Sequence, residues 1–127
     1  MKLRIKGPSL RLRLTRGEMQ RLEEQGVVEE RVPFAANASL IYRLRLDPAA
    51  HEIGAAFRDG VVEVRVPAGS ARQWCASEQV TLAGEQPVPD GMLTITLEKD
   101  FACLSARPGE DETDNFPHPD AQRGQRC

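Results

Sequence analysis

Residues 1–18 read MKLRIKGPSLRLRLTRGE, and the reading of this stretch decides the fold. Leu3 and Ile5, then Leu10, Leu12 and Leu14, alternate with charged or small residues, so each run gathers its apolar side chains on one face. A period of two marks a half-buried strand, because successive side chains leave a pleated chain on opposite sides. Gly7-Pro8 separates the runs, and Gly at the first central position suits a type II′ hairpin turn. The last four residues, TRGE, switch from strand to helix. Thr15 can accept from the N–H of Glu18 while Glu18 reaches back to Thr15, which is a capping box, and Leu14 and Met19 stand where a hydrophobic staple forms. The helix is expected to end at Gly26 in the left-handed region, with Met19 and Leu22 facing inward.

Outward from this start the same grammar continues. Two strands are expected at 27–34 (VVEERVPF) and 39–46 (SLIYRLRL), the second with Leu40, Tyr42, Leu44 and Leu46 on one face. The order then recurs 52 residues on. Strand 53–58 (IGAAFR) precedes Asp59-Gly60, a strong type I′ turn signal, and strand 61–66 (VVEVRV) follows it. A short helix from near Pro67 carries Ala71, Trp74 and Cys75 inward, and strands 79–84 and 92–98 complete the second unit. The shift lays Leu12 and Leu14 on Val64 and Val66, Gly17 on Gly69 and Leu22 on Trp74.

The expected architecture is therefore α+β: two ββαββ repeats, 1–46 and 53–98, with mostly antiparallel strands and two short helices. Two such units share a core as a pseudo-twofold sandwich or a curled, barrel-like sheet, which also reduces exposed edges. Residues 99–127 form an irregular tail within the same single domain. Pro33, Pro67, Pro87 and Pro89 are expected at strand ends or in loops, where a missing N–H costs least.

Composition bounds the function. The 127 residues are 40% hydrophobic and 28% charged, an ordinary globular balance, but only 5% aromatic, so the core rests on Leu, Val and Ile. A net charge of −2 points to no nucleic acid as partner. No apolar run reaches the roughly 18–20 residues of a membrane helix, and the opening alternation lacks the apolar stretch of a signal peptide. Cys75, Cys103 and Cys127 show no paired spacing, which suits a reducing compartment and a cytoplasmic location.

Charge is uneven along the chain, and the candidate sites lie where it is most lopsided. Lys2, Arg4, Lys6, Arg11 and Arg13 share one side of the first hairpin; if Arg43 and Arg45 lie on a neighbouring strand, the result is a basic plate for an anion or an acidic partner. Such a face lacks the exposed aromatics that stack bases in sheet-type RNA binders, and its bland reading is a charged, solvated surface. The tail holds Glu110, Asp111, Glu112 and Asp114, and it could fold back across the basic strands of its own chain or of a dimer mate, with Phe101 and Phe116 as clamps. Cys103, His118 and Cys127 could supply metal ligands, with Asp111 or Asp114 as carboxylate donor, but without the tight pairs of structural zinc sites. For nucleophilic chemistry Cys103 with His118 is the only pairing worth naming, with Asp114 as orienter. An EF-hand reading from Asp111 fails because Phe116 stands where that loop needs Gly. Cys103 lies between hydrophobes in FACL, as a buried inert thiol does. No nucleotide-binding glycine loop or nucleophile elbow is present, and the N-terminal strand has no carboxylate for the metal-phosphate chemistry of triphosphate tunnel enzymes.

MKLRIKGPSLRLRLTRGE and LEKDFACL…RPGEDETDNFPHP together resemble an uncharacterised family of small bacterial proteins, a domain of unknown function. The resemblance implies that hairpin, length and tail belong together; it brings no activity, ligand or catalytic residue. The expectation is a non-enzymatic binding or protein-interaction module that needs no cofactor, acting on a protein partner or as a dimer. The alternative is a metal- or anion-dependent enzyme or ligand-binding protein, using the Cys103, His118 and Asp114 tail or the basic N-terminal strand face.

Overall fold

In a computed structural model, which describes residues 1–100, the first hairpin forms as its pattern requires. β1 (Lys2–Ile5) and β2 (Ser9–Leu14) pair antiparallel, Leu3 opposite Leu12 and Ile5 opposite Leu10. Gly7 supplies a φ of +54° at the turn, where a Cβ would be strained. α1 (Arg16–Gln25) starts on the complete capping box: the Glu18 N–H donates to Thr15 Oγ1 at 3.3 Å and the Thr15 N–H to Glu18 Oε1 at 2.9 Å. Gly26 ends the helix at φ +81°, its N–H donating to the Leu22 carbonyl at 2.8 Å.

β3 (Val27–Ala35) and β4 (Ala38–Asp47) follow, then β5 (Gly54–Arg58) and β6 (Val61–Pro67) around Asp59 and Gly60, both at positive φ as a type I′ turn demands. After α2 (Ala68–Ala76), β7 (Thr81–Val88) and β8 (Gly91–Lys99) turn through Asp90 and Gly91, also at positive φ. β7 thus runs four residues past the expected end at Gly84. Pro33 and Pro87 fall inside β3 and β7, not in loops. Both strands are sheet edges, and the β3 register shifts between Pro33 and Ala35. An edge position or a bulge is where a strand tolerates proline.

The strands make two four-stranded sheets, ordered β1-β2-β8-β7 and β3-β4-β6-β5. Every hairpin is antiparallel, but each sheet is joined at its centre by a parallel pair, β2 with β8 and β4 with β6. Most pairings are antiparallel as expected, but both sheets are mixed, and among the described residues no closed barrel exists, which corrects the expected barrel-like sheet. The reason is connectivity. α1 carries the chain from the first sheet to the second, and α2 carries it back. Between β2 and β8 the chain thus leaves for the second sheet and returns, whereas between β4 and β6 it passes through the edge strand β5 of the same sheet, and in both cases the inner strands end up parallel.

Leu12, Leu14, Ile95 and Leu97 of the first sheet, Val28, Leu44, Val64 and Val66 of the second, and Met19, Leu22, Ala71 and Trp74 of the helices form one buried cluster. The Trp74 indole N–H donates to the Val80 carbonyl at 3.1 Å, satisfying its polar edge inside that core. Two polar ties join the sheets. The Gln86 amide caps β5, accepting from the Ala55 N–H at 2.7 Å and donating to its carbonyl at 3.0 Å. The Met1 ammonium bonds Glu18 and Glu30, and the Tyr42 hydroxyl donates to the Met1 carbonyl at 3.0 Å.

Truncating Trp74 to Ala is expected to cost about 3–5 kcal/mol, and Thr15→Ala about 1 kcal/mol, as the loss of a buried aromatic and of a helix cap. Urea unfolding midpoints of the two variants check the ranking; equal, small shifts would contradict it.

Candidate anion-binding site

The register of the first sheet puts Lys2, Arg4, Arg11 and Arg13 together, and the topology puts Arg43 and Arg45 elsewhere. Lys2 lies opposite Arg13, and Arg4 opposite Arg11, so these four share a face; Lys6 follows at the exposed end of β1. Arg43 and Arg45 are on β4, in the other sheet, so no single plate forms. Carboxylates offset part of the charge on the first face. Glu98 on β8 pairs with Arg13 at 3.2 Å and Arg11 at 3.7 Å, and Asp100 with Lys2 Nζ at 3.3 Å. Lys2, Arg4 and Arg13 all have interaction partners. This is a basic sheet surface that is only partly offset: Lys2, Arg4, Lys6, Arg11 and Arg13 share it with Glu98 and Asp100.

The outer face of the second sheet is built differently. Across it, β-pairing aligns Glu29, Arg43, Glu63 and Ala56 in one row and Val27, Arg45, Arg65 and Gly54 in the next. Small residues on β5 leave an open cleft of about 420 Å³ over the strands, lined by Arg43, Arg45, Arg58 and Arg65, with Glu63 and Asp59. Glu63 Oε2 is shared, at 3.3 Å from both Arg43 Nη1 and Arg45 Nε. Glu29 takes Arg43 Nε at 2.9 Å, and Asp47 stands 3.8 Å from Arg45 Nη2. Those two cations are therefore matched. Partial burial pushes the Glu63 carboxyl up, but the hydrogen bonds and charges of Arg45 and Arg43 outweigh it and hold the group below its ordinary value.

Arg65 and Arg58 are not matched: among the described residues neither forms an ion pair. Arg65 is half-buried between Arg45 and Gly54, and its Nε is buried with no hydrogen-bond partner. It lies close over the β5 backbone, since a Cβ added at Gly54 would stand 2.9 Å from Arg65 Nη2 and 3.2 Å from Gln86 Oε1. A buried donor without a partner costs about 1–3 kcal/mol, and few such groups occur in a folded chain.

Sequence reasoning placed Arg43 and Arg45 in a binding face but missed Arg58 and Arg65. The signal was there: VVEVRV alternates strictly, so Arg65 had to leave on the polar side of β6, the side of Glu63. What could not be read was which strand lies beside it. Cys103, Asp114 and His118 lie outside the described residues, as do Phe101, Phe116 and the acidic run 110–114. Among the described residues no group of three His, Cys, Asp or Glu side chains could hold a metal ion, and no helix is long and apolar enough to cross a membrane.

Over residues 1–120 the chain matches the "Family of unknown function (DUF7009)", and it belongs to that family. No curated protein and no solved structure matches it.

The Glu63 cluster should show in acid. A carboxyl whose folded pKa is lowered contributes stability that is present above its ordinary value of 4.5 and lost as pH falls through the lowered value. Glu63→Gln is expected to flatten the decline of stability below about pH 4.5 relative to the parent chain. Urea midpoints across pH 3–7 test this; parallel curves would contradict the pairing.

Proposed function

We propose that this member of the family is a small binding module whose recognition surface is the arginine cleft on the outer face of its second sheet. The observation that carries the reading is Arg65, a half-buried guanidinium with an unpartnered Nε in a cleft shared with Arg43, Arg45 and Arg58. A guanidinium fork recognises carboxylate and phosphate oxygens, and it gains most where water is partly excluded. The described residues offer the cleft no paired nucleophile and base, which supports binding rather than chemistry. Three cysteines without paired spacing support a cytoplasmic setting.

The reading extends to the origin of the cleft. Displacing β1, β2 and α1 by 52 residues lands on β5, β6 and α2, and exchanging the halves turns the strand order of one sheet into that of the other. These correspondences support a duplicated ββαββ unit arranged about a pseudo-twofold axis. The first-sheet face serves a second role, meeting acidic residues 110–114 of the same chain or of a second copy. What favours this is the exit of the chain at Asp100, which pairs with Lys2 and donates its N–H to the Leu14 carbonyl at 2.8 Å.

The test is a titration of the isotope-labelled chain with a hexaglutamate peptide at low salt. Backbone shifts are expected to centre on Arg43, Ala56 and Arg65 and to fade as ionic strength rises. Shifts confined to Lys2–Arg13, or none at all, would overturn the cleft as the recognition surface.

A further inference from the structure

We propose that the cleft is built for a phosphate monoester group, with Arg65 and Arg58 as its anchors. This rests on the reading of the cleft as an anion site and narrows it to one chemistry. The charge pattern leads there. Arg43 and Arg45 are already held by Glu29, Glu63 and Asp47, so three carboxylates take up these two guanidiniums. Among the described residues, the guanidiniums without an ion pair are those of Arg65 within the cleft and Arg58 at its rim. A carboxylate brings one charge and two oxygens and leaves one of these cations unmatched. A phosphate monoester brings a charge of about −1.5 to −2 and three acceptor oxygens at neutral pH, enough to meet both.

Shape agrees with charge. A volume of about 420 Å³ falls in the range of small-ligand sites, and the cleft is open above, so the remainder of an esterified molecule extends outward. Small residues on β5 make the room: Gly54 lies opposite Arg65 and Ala56 opposite Glu63. Any side chain at Gly54 would press on the Arg65 guanidinium. Asp59 works against an anion, since it sits at the mouth beside Arg58. It is also in the left-handed first position of the type I′ turn, with φ +53°, where Asn is equally at home. The same phosphate chemistry could be presented by a small metabolite or by a phosphorylated side chain of a protein, and the probes below separate the two.

The experiment measures binding of phenyl phosphate, a phosphoserine peptide, its unphosphorylated form and acetate to the full chain by calorimetry and amide shifts at low salt. Expected is saturable binding of phenyl phosphate, centred on Arg65, at least about tenfold tighter than acetate. Arg65→Ala should weaken it about tenfold or more. Arg65→Lys, which keeps the charge and loses the fork, should fall between. Gly54→Ala should weaken it with every charge in place, and Asp59→Asn should strengthen it. Thermal midpoints confirm that each variant is folded. A phosphopeptide that binds more tightly than phenyl phosphate, and only when phosphorylated, identifies a protein source; the reverse order identifies a small molecule. Phosphate binding no better than acetate, while hexaglutamate still binds through Arg65, overturns the phosphate assignment and leaves the anion site standing. No shift with any anion overturns both.

Discussion

The parallel seam between β4 and β6 is the constraint on which the rest depends. It joins strands from the two halves of the chain in the middle of a sheet, Leu44 beside Val64 on the inner side and Arg43 beside Glu63 on the outer. The buried side holds the two halves in a common core. The outer side makes the cleft, because Arg43 and Arg45 come from β4 whereas Arg58 and Arg65 belong to the β5–β6 hairpin. Neither half alone carries the site. The corresponding seam between β2 and β8 does the same for the first sheet, and there α1 and α2 carry the chain to the second sheet and back; β4 and β6 are linked through the edge strand β5.

Electrostatics then separates two surfaces that look alike as lists of residues. On the first sheet, Glu98 and Asp100 lie among the basic side chains and pair with Lys2, Arg11 and Arg13. On the second, carboxylates are just as close, but they are taken up by Arg43 and Arg45. Glu63 bridges both through one oxygen, and burial alone would raise its pKa; the two guanidiniums reverse that. What remains is a paired wall beside Arg65, which has no ion pair among the described residues. A half-buried guanidinium in that position is poorly explained as surface solubility, whereas Arg4 or Arg11 need no more explanation than their neighbours provide.

Local signals in the sequence were legible and the long-range ones were not. The capping box at Thr15 and Glu18, the left-handed stop at Gly26 and the Asp59-Gly60 turn all follow from short-range chemistry and stand as expected. The inward faces were readable too, because alternation assigns Leu12, Leu44, Val64 and Leu97 to the core whatever their neighbours. Asp90-Gly91 carries the same turn signal as Asp59-Gly60, yet two prolines around it hid the extension of β7 to Val88. Sheet partnership was invisible: period two says which way a side chain points, never which strand lies beside it. That is why Arg43 and Arg45 were joined to the wrong basic residues, and why Arg65, one strand away, went unnoticed.

Native-state hydrogen exchange across the four central strands tests the seam most directly. If each sheet is knitted from both halves, the most protected amides of β2, β4, β6 and β8 exchange only through global unfolding and report one free energy. A lower value shared by β2 and β4, with β6 and β8 still protected, would mean that the halves open separately, and the single core with its shared cleft would be wrong.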